Sequence, residues 1–413
     1  MKCRHCGAPL SLVFLDLGTA PPANSLVTEE GLHRPETWYP LRLLSCQSCW
    51  LVQTEDYAGR DELFSKEYVY FSSYSTTWLA HARDFARLAI TRFHLSIQSF
   101  VVEIGSNDGY LLRFFQEAGI PCLGIEPTAS TAGAARALGL EVVERFFGQE
   151  LAEGLSAEGR RADLVIANNV LAHVPDINDF VAGVAKLLKP NGVVSFEFQH
   201  LLSMVEGGQF DTAYHEHYSY LSFLSAQRIL QKNGLHVFDV DELPTHGGSL
   251  RVFARRADGG VRPESSRVAL LREKELEAGV ATSRFHLGFQ ERAERIRDDL
   301  LLFLIDAKRR GQRVAGYGAA AKGITCVNFA GLRRDLLPHV VDRNPAKQGK
   351  YLPGSRIPIV GEECLFADRP DLIVILAWNL REEVMRQLQD ACRWGAKFVT
   401  AVPRLELWSG SGS

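Results

Sequence analysis

The chain has 413 residues, 46% of them hydrophobic, and its 46 basic and 49 acidic side chains leave a net charge of −3. That length exceeds a single hydrophobic core, so two or three domains are expected, and the near-neutral balance offers no basic surface for nucleic acid or an anionic membrane. The opening Met1-Lys2-Cys3-Arg4 lacks the apolar run of a signal peptide and no stretch is long enough to cross a bilayer, so a soluble, cytoplasmic protein is expected.

Of the eight cysteines, Cys122, Cys326, Cys364 and Cys392 are scattered through apolar segments and read as buried thiols. The other four form two C-x-x-C pairs, Cys3-Arg4-His5-Cys6 and Cys46-Gln47-Ser48-Cys49. Four thiolates in a tetrahedron satisfy zinc and leave no position for a substrate, so the expected site is structural. Two disulfides are the other use of such residues, and the lack of an export signal speaks against them. The turn formers Leu15-Asp16-Leu17-Gly18 and Pro21-Pro22-Ala23-Asn24 lie between the pairs and predict a small, loop-rich module over residues 1–66.

Residues 67–98 read as a helical linker. They open on the aromatic and hydroxyl cluster Tyr68-Val69-Tyr70-Phe71-Ser72-Ser73-Tyr74 and continue through Trp78, Leu79, Phe85 and Leu88 at helical spacing. The cluster is either a packed linker or a contributor of hydroxyls to an active site.

The run Phe100-Val101-Val102-Glu103-Ile104-Gly105 predicts a buried strand ending at a glycine, and a helix begins after Gly109. Strand, glycine turn and helix N-terminus make the cofactor corner of a doubly wound sheet. Glu103, Gly105, Ser106, Asn107, Asp108 and Gly109 are the candidate contacts. Asn107-Asp108 in the turn favours a cofactor with an amino-acid end over a pyrophosphate. The next strand, Pro121 to Ile125, ends at Glu126-Pro127, where a carboxylate about twenty residues past the turn can accept both ribose hydroxyls. A further strand, Ala162 to Ala167, leads into Asn168-Asn169 and His173, and Leu188-Lys189-Pro190-Asn191-Gly192 predicts a helix stop and turn before the strand Val193 to Phe198.

Tyr214-His215-Glu216-His217-Tyr218-Ser219 then places two imidazoles and a carboxylate together. His215 and His217 could share a metal, although no further ligand cluster lies near them. His246-Gly247-Gly248-Ser249-Leu250-Arg251 follows, either a pocket-shaping segment or a hairpin turn. Residues 259–311 are charged, with Phe285, Phe289, Ile296, Leu300 and Leu304 on one stripe, and predict a helical bridge. A second glycine turn, Gly316-Tyr317-Gly318, and a second strand ending in Asp342 predict another doubly wound sheet over residues 312–408. Residues 409–413 read as a disordered tail.

In this order, the glycine turn, Glu126, Asn168 to His173 and Leu-Lys-Pro-x-Gly resemble the class I S-adenosylmethionine-dependent methyltransferase fold over about residues 99–200, within an expected methyltransferase domain of residues 99–258. Many members carry glycine where Asn107 stands. With the cysteine pairs, Ser72-Ser73-Tyr74-Ser75 and Glu216-His217, the whole chain resembles the three-domain sugar C-methyltransferases, α/β proteins with an N-terminal zinc module, a central methyltransferase domain and a C-terminal Rossmann-like domain.

The resemblance implies methylation of a carbon, C3, beside the ketone of a nucleotide-linked 4-keto-6-deoxyhexose, with dTDP the expected nucleotide. It implies His217 as the base that forms the enolate, with Glu216 orienting it or holding the sugar. Tyr214, His173, Tyr68 and Tyr70 are candidates to polarise or bind the substrate, although His173 could equally be a wall residue. His246, Lys322 and Asn328 are the expected substrate contacts, Lys322 and the turn amides facing a diphosphate. A nicotinamide cofactor at the second turn, a sugar O-methyltransferase, and a non-catalytic nucleotide-sugar-binding protein are the alternatives.

Overall fold

The structure, a computed structural model, describes residues 1–57, 59, 63 and 71–409. Strands β1 (Leu12–Ala20), β2 (Tyr39–Ser45) and β3 (Val52–Thr54) form an antiparallel meander. Each cysteine pair sits on a tight turn beside it, closed by Gly7 N–H to Cys3 O at 2.9 Å and Trp50 N–H to Cys46 O at 2.8 Å. The residue after each pair, Gly7 or Trp50, is left-handed, with φ of 76° and 62°. The expected loop-rich module is thus built on a sheet.

The central sheet contains β4 (Val101–Ile104), β5 (Cys122–Ile125), β6 (Val142–Val143), β7 (Ala162–Asn168) and β8 (Leu188–Gln199). The next strand, β9 (Ser219–Tyr220), leaves it to join the N-terminal meander, with Val52 opposite Tyr220 and Gln53 opposite Ser219. Then β10 (Leu235–Leu243) and β11 (Ser249–Arg256) complete the central sheet in the order β10-β11-β8-β7-β4-β5-β6. Only β10 and β11 run against their neighbours, as an edge hairpin. Period-two alternation buries both faces: Val102, Val165 and Phe196 pack with the helix Ile177–Leu187, and Val101, Leu164 and Phe253 with Phe85 and Phe115.

The Lys-Pro-Asn-Gly segment does not separate helix from strand as a turn. The helix ends at Leu187 and β8 begins at Leu188, so Lys189 to Gly192 bulge from a continuous strand, with Ala162 opposite Leu188 but Leu164 opposite Val193. A Cβ on Gly192 would lie 2.7 Å from Ala162 O, so glycine permits the close approach.

The expected bridge is three helices, Ser266–Glu277, Ser283–His286 and Phe289–Arg309. Its stripe of Phe289, Ile296, Leu300 and Leu304 is buried between the N-terminal meander and the last sheet. That sheet comprises β12 (Val314–Tyr317), β13 (Val340–Val341), β14 (Ile359–Val360), β15 (Leu372–Ile375), β16 (Lys397–Thr400) and β17 (Glu406–Ser409). Its order, β14-β13-β12-β15-β16-β17, reverses direction between β12 and β15, the switch point of a doubly wound sheet. Ser409 ends β17, pairing with Lys397, so the expected tail starts one residue too early. Among the described residues no helix is long and apolar enough to cross a membrane.

Candidate active site

The carboxyl ends of β4, β5 and β7 open on a cavity of about 380 Å³, and the turn after β12 closes it from the other side. Two doubly wound sheets therefore face each other across one space. Gly105, Asn107, Glu126, Pro127, Asn168 and Asn169 line it from the central sheet.

Gly105 has φ of +68°, and a Cβ there would lie 2.4 Å from Val170 Cγ2, so the loop after β7 can close over this turn only because no side chain stands there. Asn107 adopts φ of +49°, a left-handed position that suits glycine and that asparagine tolerates. Its side chain also works: Oδ1 accepts Ser72 N–H at 2.9 Å, and Asp108 Oδ2 accepts Ser73 N–H at 3.1 Å. The turn thus holds the segment that leads into the helix Thr76–Phe93.

Glu126 ends β5 with its carboxylate fixed by Asn107 N–H at 3.0 Å, Thr128 N–H at 2.9 Å and the Thr128 hydroxyl. Asn168 is buried and its Oδ1 has no hydrogen-bond partner among the described residues. An acid at the sheet's carboxyl edge, an orphaned amide oxygen and a glycine cradle fit the ribose and amino-acid ends of S-adenosylmethionine.

Four expected contacts fall elsewhere. Glu103, Ser106, Asp108 and Gly109 do not line the cavity. Glu103 and Ser106 are wholly buried, and burial pushes the Glu103 carboxyl well above the usual range against the pull of Tyr110. The Asp108 side chain turns to Ser73, and a Cβ on Gly109 would strike Leu140 Cδ1 at 2.4 Å.

His217 and Tyr214 stand in the cavity wall beside His173. His217 donates from Nδ1 to Thr212 O at 3.0 Å, so Nε2 accepts the Tyr214 hydroxyl at 2.7 Å. The His173 ring centroid is 4.6 Å from that of His217, and His173 donates from Nδ1 to the backbone carbonyl of Glu216 at 2.7 Å. Burial and mutual repulsion hold His217 well below the ordinary imidazole range, and burial lowers His173 to about 4. Both rings are neutral and able to accept a proton.

The Glu216 carboxylate does not orient His217, whose two nitrogens are taken by Thr212 and Tyr214. It lies behind the cavity wall and accepts Asn24 N–H and Nδ2–H at 3.2 and 3.1 Å. His215 points away as well, donating from Nε2 to Pro40 O at 3.2 Å. Tyr68 and Tyr70 lie outside the described residues.

From the second sheet, Ala320, Ala321, Lys322 and Lys347 reach the cavity, and His246 joins them. Lys322 donates to His246 O at 3.2 Å and sits 4.9 Å over the Trp378 ring. Burial lowers its ammonium to about 8, against the pull of Asp211, and lowers His246 to about 4. Asn328 is not brought to the cavity. Its Nδ2 donates to Pro353 O at 3.1 Å.

Sequence reasoning missed the network that carries Trp78 to the wall. On β8, Glu197 accepts His81 Nε2–H at 2.9 Å, Arg251 Nη2–H at 2.6 Å and the Thr245 hydroxyl at 3.2 Å. Trp78 stacks on His81 and meets His246, each at 4.9 Å between centroids. The only sequence signal was Arg251 inside the His-Gly-Gly-Ser-Leu-Arg segment.

The four paired cysteines bring their Sγ atoms within 4.8 Å of one another, the only such cluster of potential metal ligands among the described residues. Cys3 and Cys49 are 3.6 Å apart and Cys6 and Cys46 3.5 Å. Thiolates about 2.3 Å from a zinc ion stand about 3.8 Å apart in a tetrahedron, so the donor set fits zinc. Three of the four are buried.

Comparison with known proteins agrees. Residues 3–64 match the family model of a zinc-binding domain, 78–240 that of a methyltransferase domain and 244–403 that of a C-methyltransferase C-terminal domain. The chain is 35% identical over 404 residues to the C-methyltransferase NovU of Streptomyces niveus, covering 97% of this chain and 95% of that one. It is 28% identical over 123 residues to a ubiquinone biosynthesis O-methyltransferase of Bartonella quintana, 29% of this chain and 50% of that one. Magnesium protoporphyrin IX methyltransferase of Synechocystis with bound S-adenosylmethionine aligns at 17% identity over 43% of this chain and 79% of its own, with a TM-score of 0.34, and carries no weight here. The cysteine tetrad, the cofactor corner and the end-to-end match together show that the chain belongs to the zinc-containing, S-adenosylmethionine-dependent C-methyltransferase family.

Proposed function

We propose that the chain methylates the carbon beside the ketone, C3, of a nucleotide-linked 4-keto-6-deoxyhexose, with dTDP as the nucleotide. The reading is carried by the His217–Tyr214–His173 cluster, which stands in the wall of the same cavity as Glu126 and Asn168.

S-adenosylmethionine, when bound by Gly105, Asn107, Glu126 and Asn168, supplies an electrophilic methyl group. A carbon next to a ketone attacks it only as an enolate, so a base and a donor to the developing oxyanion are required. His217, kept neutral by burial, takes the proton at Nε2. The Tyr214 hydroxyl, now on that nitrogen, turns to the ketone oxygen. His173 is the second candidate for base. Lys322, Lys347 and the amides at Ala320-Ala321, the start of the helix Ala321–Phe329, present positive charge to the diphosphate.

Incubating the protein and S-adenosylmethionine with dTDP-, CDP- and GDP-linked 4-ketosugars tests the reading. One of them should gain a single methyl, placed at C3 by the product's carbon spectrum. No gain with any of them rejects the substrate class, and a methyl found on oxygen rejects the chemistry.

A further inference from the structure

The N-terminal module sends Asn24 into the cavity wall. Its segment is pinned from two sides. Val27 and Tyr351 exchange backbone hydrogen bonds at 2.9 and 2.8 Å, which ties it to the C-terminal domain. Asn24 N–H and Nδ2–H both donate to Glu216 Oε1, at 3.2 and 3.1 Å, which ties it to the catalytic loop.

The Asn24 backbone N–H can only donate, which fixes Oε1 as an acceptor, so the carboxamide nitrogen is the atom turned to it. Asn24 Oδ1 is thereby left for the cavity side. Glu216 itself is 1% exposed, is not part of the wall, and its Oε2 has no hydrogen-bond partner among the described residues. A buried carboxyl holding one half-buried amide of the cavity wall in one orientation is an arrangement for reading a hydrogen-bond donor.

We infer that Asn24 is a substrate-contacting residue, accepting a hydrogen bond from a sugar hydroxyl at Oδ1, and that Glu216 is a positioning residue that fixes its carboxamide. The inference rests on the proposed ketosugar substrate. It makes the cysteine module part of the substrate site, since the residue that contacts the sugar comes from its loop.

The test uses the full chain with the methylated ketosugar, comparing Asn24→Ala, Glu216→Ala, Glu216→Gln and the double alanine variant. Asn24→Ala and Glu216→Ala should each lower kcat/KM for the sugar about tenfold or more, with calorimetric affinity for S-adenosylhomocysteine and the thermal midpoint unchanged. The double variant should fall no further than the lower single one, because both changes remove one contact. Glu216→Gln keeps an acceptor oxygen and should stay within about threefold of the parent. Asn24→Ala matching the parent, losses that multiply in the double variant, or Glu216→Gln falling as far as Glu216→Ala would each overturn the inference. If the parent methylates no ketosugar, the proposed substrate fails first and takes this inference with it, whereas a failure of the inference alone leaves an active parent.

Discussion

Arg4, set between the two cysteines of the first knuckle, donates from Nη1 to the carbonyl oxygen of Pro175 at 2.8 Å. Its Nη2 reaches Thr54 O and Asp56, and Asn178 Nδ2 donates to the carbonyls of Arg4 and His5 at 3.2 and 2.9 Å. Pro175 and His173 share the cavity wall, so the cysteine knuckle abuts the loop that carries a cavity-wall imidazole.

Zinc should therefore be present at one ion per chain by elemental analysis, and its removal should be felt at a distance. Chelation, or Cys46→Ser, should speed amide hydrogen exchange in residues 171–178 as well as in the knuckles, because zinc-site binding energy is folding energy. Exchange confined to residues 1–57 would show that the contact transmits nothing.

Replacing Glu126 by Ala should weaken S-adenosylmethionine binding by about 2–4 kcal/mol if both ribose hydrogen bonds are lost. The carboxylate also holds Asn107 and Thr128, so Glu126→Gln should lose less. Calorimetry showing parental affinity for Glu126→Ala would remove the assignment.

His217→Asn should slow turnover by about a hundredfold or more while leaving cofactor affinity intact. The sensitive measurement is solvent-deuterium exchange at the substrate carbon beside the ketone with S-adenosylhomocysteine bound. Exchange at the parental rate would transfer the base to His173.

Acid should act twice. Burial lowers His217 well below the ordinary imidazole range and His173 to about 4, so the unfolded chain binds protons at these positions before the folded one does. Their contribution to stability is full above about pH 6.5 and declines as the pH falls toward the folded values. The acid limb of kcat/KM, which reports the free enzyme, should likewise lie below about pH 6.5. A limb centred at neutral pH or above would contradict a neutral buried base.

Arg251→Met should destabilise the fold by about 3–5 kcal/mol, because it strips a guanidinium from a fully buried carboxylate. Burial pushes Glu197 up, but His81 and Arg251 more than offset this and hold it at about 2. A thermal midpoint within a degree or two of the parent would show that His81 alone suffices.

The features legible in the sequence were those whose chemistry is local. The glycine turns, the acid after β5 and the paired cysteines each announce themselves within a few residues, because backbone handedness and ligand spacing are short-range constraints. Asn24 with Glu216, Arg4 with Pro175, and His81 with Glu197 and Arg251 join residues far apart along the chain. No periodicity encodes such pairings, so the sequence points to Glu216 as a partner of the adjacent His217, whereas its carboxylate faces Asn24. The bulge at Lys189 to Gly192 resembles a turn in the sequence for a related reason. Proline and glycine mark a departure from regular backbone, but whether the strand pairing resumes depends on a neighbour, β7.

The pairing of β9 with β3 bears on how relatives could be recombined. A chimera that swaps the first sixty or so positions between two such enzymes would splice one parent's β3 against the other parent's β9, whose preceding loop carries Tyr214 and His217. The heritable unit here is discontinuous: residues 1–57 travel with 212–221, and a crossover placed by chain order alone divides it.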